Sequence, residues 1–98
     1  MPLARSEGAL AAAGASAPAM LLGSFNLTLW GDFAGSAQLE RSFDAGRTWH
    51  PLSRDSTGAV ARYAAPVSLT FEECERGVLY RLNCTALDNG VLRFRLSQ

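Results

Sequence analysis

The run Tyr80-Arg81-Leu82-Asn83-Cys84-Thr85-Ala86, then Asp88-Asn89-Gly90, then Leu92-Arg93-Phe94-Arg95-Leu96 decides the fold class. Apolar and polar residues alternate with a period of two on both sides of the Asn-Gly pair, the mark of half-buried strands. Asn and Gly accept positive φ, so Asp88-Asn89-Gly90 reads as a hairpin turn. The same alternation recurs upstream. Phe25, Leu27 and Leu29 interleave with Asn26, Thr28 and Trp30. Ala37, Leu39, Arg41 and Phe43 interleave with Gln38, Glu40 and Ser42. Val67, Leu69 and Phe71 interleave with Ser68 and Thr70, and residues 60–63 read as one more short strand. Residues 51–58 read as a polar loop. No ten-residue amphipathic helix competes. Seven or so short strands with turns every 8–12 residues predict an all-β fold. The expected form is a small antiparallel β-sandwich, immunoglobulin-like or jelly-roll-like.

Ninety-eight residues suffice for one domain. Composition changes near residue 23. Residues 1–19 hold eight Ala among Gly, Ser and Pro, with almost nothing to bury. Residues 1–22 therefore read as an extended N-terminal arm, held by a neighbouring chain, and residues 23–98 as the sandwich domain. Glu7 and the Ala/Gly-rich middle argue against a secretory leader. No stretch approaches the ~20 apolar residues of a membrane span.

The nine basic residues are all Arg and are balanced by nine acidic ones, which argues against a dedicated nucleic-acid binder. One His, His50, and two Cys leave few ways to build a metal site or a nucleophile–base pair. We expect no enzyme, no cofactor and no metal. Cys84, within an alternating run, reads as a small core residue. A Cys74–Cys84 bridge stays open at this level.

Ser42-Phe43-Asp44-Ala45-Gly46-Arg47-Thr48-Trp49 is the sharpest local motif. It resembles the Asp-box, Ser-x-Asp-x-Gly-x-Thr-Trp, a structural hairpin in sialidases and related propellers. Asp44 can accept backbone N–H groups within the turn, with Ser42 and Thr48 beside it. Gly46 can turn left-handed, and Trp49 can pack beneath the hairpin while its N–H finds a partner. Gly77-Val78-Leu79-Tyr80 resembles the tyrosine corner of immunoglobulin-like sandwiches, where a Tyr hydroxyl ties to upstream backbone. Glu72, Glu73 and Glu75 read as a solvated acidic loop. Arg93 and Arg95, with Arg81, form either a stripe for an acidic partner or an ordinary wet face. Trp30 is either a second-layer residue or an exposed interface anchor. Leu10, Met20, Leu21 and Leu22 of the arm complete the candidate interface.

Residues 22–98 resemble a group of small virion-associated proteins of tailed bacteriophages. The shared pattern is an Ala/Gly/Ser-rich leader, the strand from Phe25 to Gly31, the hairpin from Leu39 to Trp49, the strand from Gly77 to Arg81, and the end from Gly90 to Gln98. The resemblance implies a structural virion protein made in the host cytoplasm. A capsid decoration, or cement, protein is favoured, with the major capsid protein or other virion proteins as partners and a homo-oligomer on the particle. The alternatives are a tail or head–tail connector component, and a carbohydrate-binding module of a tail fibre using Trp30, Phe33, Trp49 and Tyr63.

Overall fold

The computed structural model describes residues 5–53 and 59–98. Part of the expected polar loop, residues 54–58, lies outside them. Ten strand segments form: β1 (Arg5–Leu10), β2 (Gly14–Ala15), β3 (Ala19–Met20), β4 (Gly23–Trp30), β5 (Phe33–Ser42), β6 (His50–Pro51), β7 (Arg62–Tyr63), β8 (Val67–Glu73), β9 (Leu79–Gly90) and β10 (Leu92–Ser97). They occupy eight positions. β2 and β3 both pair with β9, and β6 and β7 both pair with β5. One sheet runs β1-β10-β4-β8; the other runs β2/β3-β9-β5-β6/β7, and every pairing is antiparallel. This nested order is an eight-stranded jelly roll of two Greek keys, so the jelly-roll form of the expected sandwich is the one adopted.

The alternation read from the sequence sets the core. Phe25, Leu27 and Leu29 of β4 and Leu92, Phe94 and Leu96 of β10 face Ala37 and Leu39 of β5 and Tyr80, Leu82 and Cys84 of β9. Phe25 stacks on Phe71 at 5.5 Å and tilts against Tyr80 at 4.6 Å between ring centroids. Cys84 is buried and Cys74 is exposed; both are free thiols, so no bridge joins them.

Two expectations are corrected. Asp88-Asn89-Gly90 is not a hairpin turn. A two-residue type I′ turn needs positive φ at both central positions. Here Gly90 has φ 84°, while Asn89 does not enter that region. β9 runs on to Gly90, pairing Asn89 with Ala34 and Gly90 with Phe33, and β10 starts in the opposite sheet. The chain makes the same crossing from β4 to β5 at Gly31, φ 101°. The two crossings stack: Val91 N–H donates to the Asp32 carbonyl at 3.1 Å. A Cβ on Gly90 would overlap that carbonyl oxygen, and one on Gly31 would sit 2.8 Å from the Val91 carbonyl oxygen.

The second correction concerns the arm. Residues 5–20 do not extend away from the domain; they are strands of both its sheets. β1 pairs with β10 from Arg5↔Ser97 to Leu10↔Leu92, and β2 and β3 continue along β9. Hydrogen bonds replace apolar area here. Ser16 N–H donates to the Leu82 carbonyl at 2.8 Å, Leu82 N–H donates to Ser16 Oγ at 2.9 Å, and Ser6 Oγ donates to the Ala17 carbonyl at 2.6 Å. Ala19 and Leu21 are buried in the core.

The stacked crossings predict a sharp contrast between two glycines. Gly90→Ala combines a left-handed backbone with overlap on the Asp32 carbonyl and should cost at least about 2 kcal/mol. Gly8→Ala, whose Cβ would lie 3.7 Å from the Phe94 ring, should stay within about 1 kcal/mol. Urea denaturation of the two variants measures both.

Candidate interaction surface

The Asp-box loop joins β5 to β6 and closes on itself. Ser42 Oγ donates to Asp44 Oδ1 at 2.7 Å and accepts the Gly46 N–H at 2.9 Å. Thr48 donates its backbone N–H to Asp44 Oδ1 at 2.9 Å and its hydroxyl to Oδ2 at 2.6 Å. Bonds from the Thr48 side chain, the Thr48 backbone and Ser42 hold the Asp44 carboxyl down to about 2. Trp49 donates Nε1–H to the Gly46 carbonyl at 3.0 Å. Both Ala45 and Gly46 take positive φ. Asp44 thus spends its acceptors on the loop.

Two further carboxylates are buried and committed. Glu40, on the outer face of the second sheet, accepts from Arg81 Nε at 2.8 Å, Asn83 Nδ2 at 3.0 Å and Gln38 Nε2 at 2.6 Å. Burial pushes its pKa up, but the bonds from Asn83, Gln38 and Arg81 outweigh burial and hold it below the usual value. Arg81 in turn lies under the Trp49 ring, 4.3 Å from its centroid. This detaches Arg81 from the expected stripe with Arg93 and Arg95, which belong to the other sheet.

Glu73 was expected among solvated acids, yet it is only 5% exposed. It accepts from Tyr80 Oη at 2.8 Å, Arg41 Nη1 at 3.1 Å and the Glu75 N–H at 3.1 Å. Burial raises its pKa, and these partners more than compensate, so it too is lowered. Burial and then the Glu73 carboxylate push the Tyr80 phenol up to about 12. The tyrosine-corner likeness is corrected at this point. Gly77 makes the left-handed turn, φ 81°, but the hydroxyl of Tyr80 ties to a side chain rather than to upstream backbone. A signal for Glu73 lay in the sequence: it shares the inward parity of Val67, Leu69 and Phe71.

The candidate interface residues separate into three groups. Leu21 is fully buried and Leu10 packs against the core, so neither offers a surface. Met20 and Leu22 are exposed near the junction of β3 and β4. Trp30, Arg93 and Arg95 come together on the outer face of the first sheet. Arg93 pairs directly across from Trp30, and Arg95 across from Thr28. Trp30 is 41% exposed, a large indole left in water across the ladder from Arg93. Arg95 reaches Glu7 at 3.6 Å, whereas Arg93 has no carboxylate partner among the described residues. Beyond them the face is polar, with Thr28 and Ser68 hydroxyls 2.9 Å apart and Thr70 donating to Asn26 at 3.0 Å. The four aromatics of the glycan reading do not share this face. Phe33 and Tyr63 pack against the core, and Trp49 belongs to the Asp-box of the second sheet.

Of the three lowered carboxyls, Asp44 and Glu73 set a testable pH dependence. A depressed folded pKa gives stability that is present above the unfolded value and is lost as pH falls through the folded value. For Asp44 that window runs from about 4 down to about 2. Asp44→Asn should flatten the acid limb of the stability profile and lower stability at neutral pH. Tyr80→Phe should cost about 1–3 kcal/mol at pH 7, by removal of a bond to a buried carboxylate. That cost should shrink below pH 4.5, the ordinary value of Glu73. Guanidinium melts across pH 2–7 check both.

No protein-family model, no curated protein and no solved structure matches this chain. Its strand order makes it a jelly roll, an architecture that capsid, lectin and cupin domains share. A fold so widely used assigns none of their functions by itself.

Proposed function

We propose that this chain is a structural virion protein of a tailed bacteriophage, a capsid decoration protein that adheres to the assembled shell and stabilises it. The observation that carries the reading is the Trp30–Arg93–Arg95 stripe on the outer face of the first sheet. Trp and Arg are the residue types enriched where protein surfaces bind, and an exposed Trp flanked by Arg suits an acidic, partly apolar partner surface. The three strongly tied carboxylates, Asp44, Glu40 and Glu73, are held by internal hydrogen bonds, which favours a binding role over proton-transfer chemistry. Phage membership rests on the sequence resemblance from Phe25 to Gln98.

A ligand that binds only the assembled shell shifts assembly toward the shell by mass action. Many copies on a lattice multiply modest contacts. Since residues 5–20 pair within their own domain, anchoring falls to the sheet face rather than to a free arm. The tail or connector alternative differs in copy number: hundreds per particle for decoration, on the order of a dozen for a connector ring.

Purified particles should carry the protein in hundreds of copies. Trp30→Ala and Arg93→Glu should each weaken rebinding of the folded protein to stripped particles at least tenfold, with the Arg contribution fading as salt rises. Unchanged binding by both variants would remove the stripe as the adhesive face, and particles without the chain would end the virion reading.

A further inference from the structure

The ends of each sheet differ in what they offer a second strand. In the second sheet the β6/β7 edge is made of two-residue segments, too short to template pairing. In the first sheet β1 ends one side. Its inward residues are Ser6, Gly8 and Leu10, with little apolar area. β8 ends the other side, and it is different. It has seven residues, pairs with β4 in unbroken register from Gly23↔Glu73 to Leu29↔Val67, and carries no bulge, Lys or internal Pro. Among the described residues its other edge has no strand partner. Its inward side chains, Val67, Leu69 and Phe71, are only half-buried. Phe71 also lines a groove of about 610 Å³ between the sheets, with Leu52, Val60 and Tyr63.

We propose that β8 pairs with β8 of a second copy about a two-fold axis at Thr70, joining the two four-stranded sheets into one of eight strands. The register follows from the strand itself. Only pairing centred on Thr70 uses all seven residues. It sets Leu69 opposite Phe71, Ser68 opposite Glu72, and Val67 opposite Glu73. The acidic end of each strand then meets the uncharged end of the other, so no like charges face each other. Leu69 and Phe71 of each copy pair on the inward side, next to the partner's groove, and gain apolar cover there. The interface is isologous, the commonest symmetry of soluble oligomers. Main-chain hydrogen bonds supply the pairing, and the alternate inward side chains supply selectivity.

Thr70 is exposed, so substitution there leaves the core untouched. On the axis it faces its own copy, which permits a charge-matching test. Sedimentation velocity of the full chain should give a dimer that dissociates on dilution. Thr70→Glu and Thr70→Lys should each weaken dimerisation at least tenfold, because like charges would stand opposite each other. An equimolar mixture of the two should restore a dimer. Thermal melts of each variant establish that it is folded. A cysteine at this position, Thr70→Cys in a Cys74→Ser background, should oxidise to a covalent dimer, while Thr85→Cys in the same background should not. A wild type monomeric at every concentration would overturn the proposal, as would single-charge variants that dimerise as well as wild type. These outcomes are read without particles, so they stand or fall apart from the virion reading.

Discussion

The fold depends on one close approach. Two strand-to-strand crossings lie against each other at a single end of the sandwich, and the gap between them is filled by backbone alone. The Val91 N–H reaches the Asp32 carbonyl at 3.1 Å only because neither Gly31 nor Gly90 carries a Cβ. Through that contact β4 and β10 are delivered to one sheet and β5 and β9 to the other, side by side in each case. The four strands so placed contribute most of the buried apolar residues. The pairing of Trp30 with Arg93, immediately beside the crossings, is set by the same geometry.

Charge serves the interior in an unusual proportion for so small a domain. Glu40 and Glu73 are each 5% exposed, and each would be costly to bury alone. Each has an arginine and at least two further donors, and no buried side-chain polar atom among the described residues is left without a partner. The two clamps lie in different regions. Glu40 ties β5 to β9 on the outer face beneath Trp49, and Glu73 ties the end of β8 to β5 and β9 across the gap between the sheets. The second clamp spans the two sheets beside the Phe25–Phe71–Tyr80 aromatic cluster. Such pairs fix relative placement more than they add net stability.

The sequence made most strands from Phe25 onward legible, since they bury one face and water wets the other; β5 departs from this, with Gln38 and Glu40 buried beside Ala37 and Leu39. Connectivity was less legible. Asn89-Gly90 has the composition of a hairpin turn, but a turn is set by two backbone conformations and only Gly90 adopts the required one. The first twenty residues gave no period to read. Ala, Gly and Ser bury little area, and Ser6 and Ser16 enter the structure through hydrogen bonds whose acceptors and donors lie far along the chain. The Asp-box was readable in full because its bonds all fall within eight consecutive residues. The Glu40–Arg81 pair was not, because forty-one residues separate its members and only the strand register brings them together. Of the candidate interface, the two arginines could be read as one sheet face by parity, whereas Trp30 stayed open between a second layer and an exposed position until the structure left it 41% exposed. Leu21 could not be told from Leu22 until β3 and β4 were in position.

β10 brings together distant parts of the chain: it lies between β1 and β4, and its register with β1 sets Arg5 opposite Ser97. Neither neighbour can pair with it until β10 itself has been synthesised. The first sheet therefore closes by long-range pairing, and β1 and β4 stay without this partner until then. Residues 5–20 are poor in large apolar side chains, so this stretch exposes little surface for aggregation while it is unpaired.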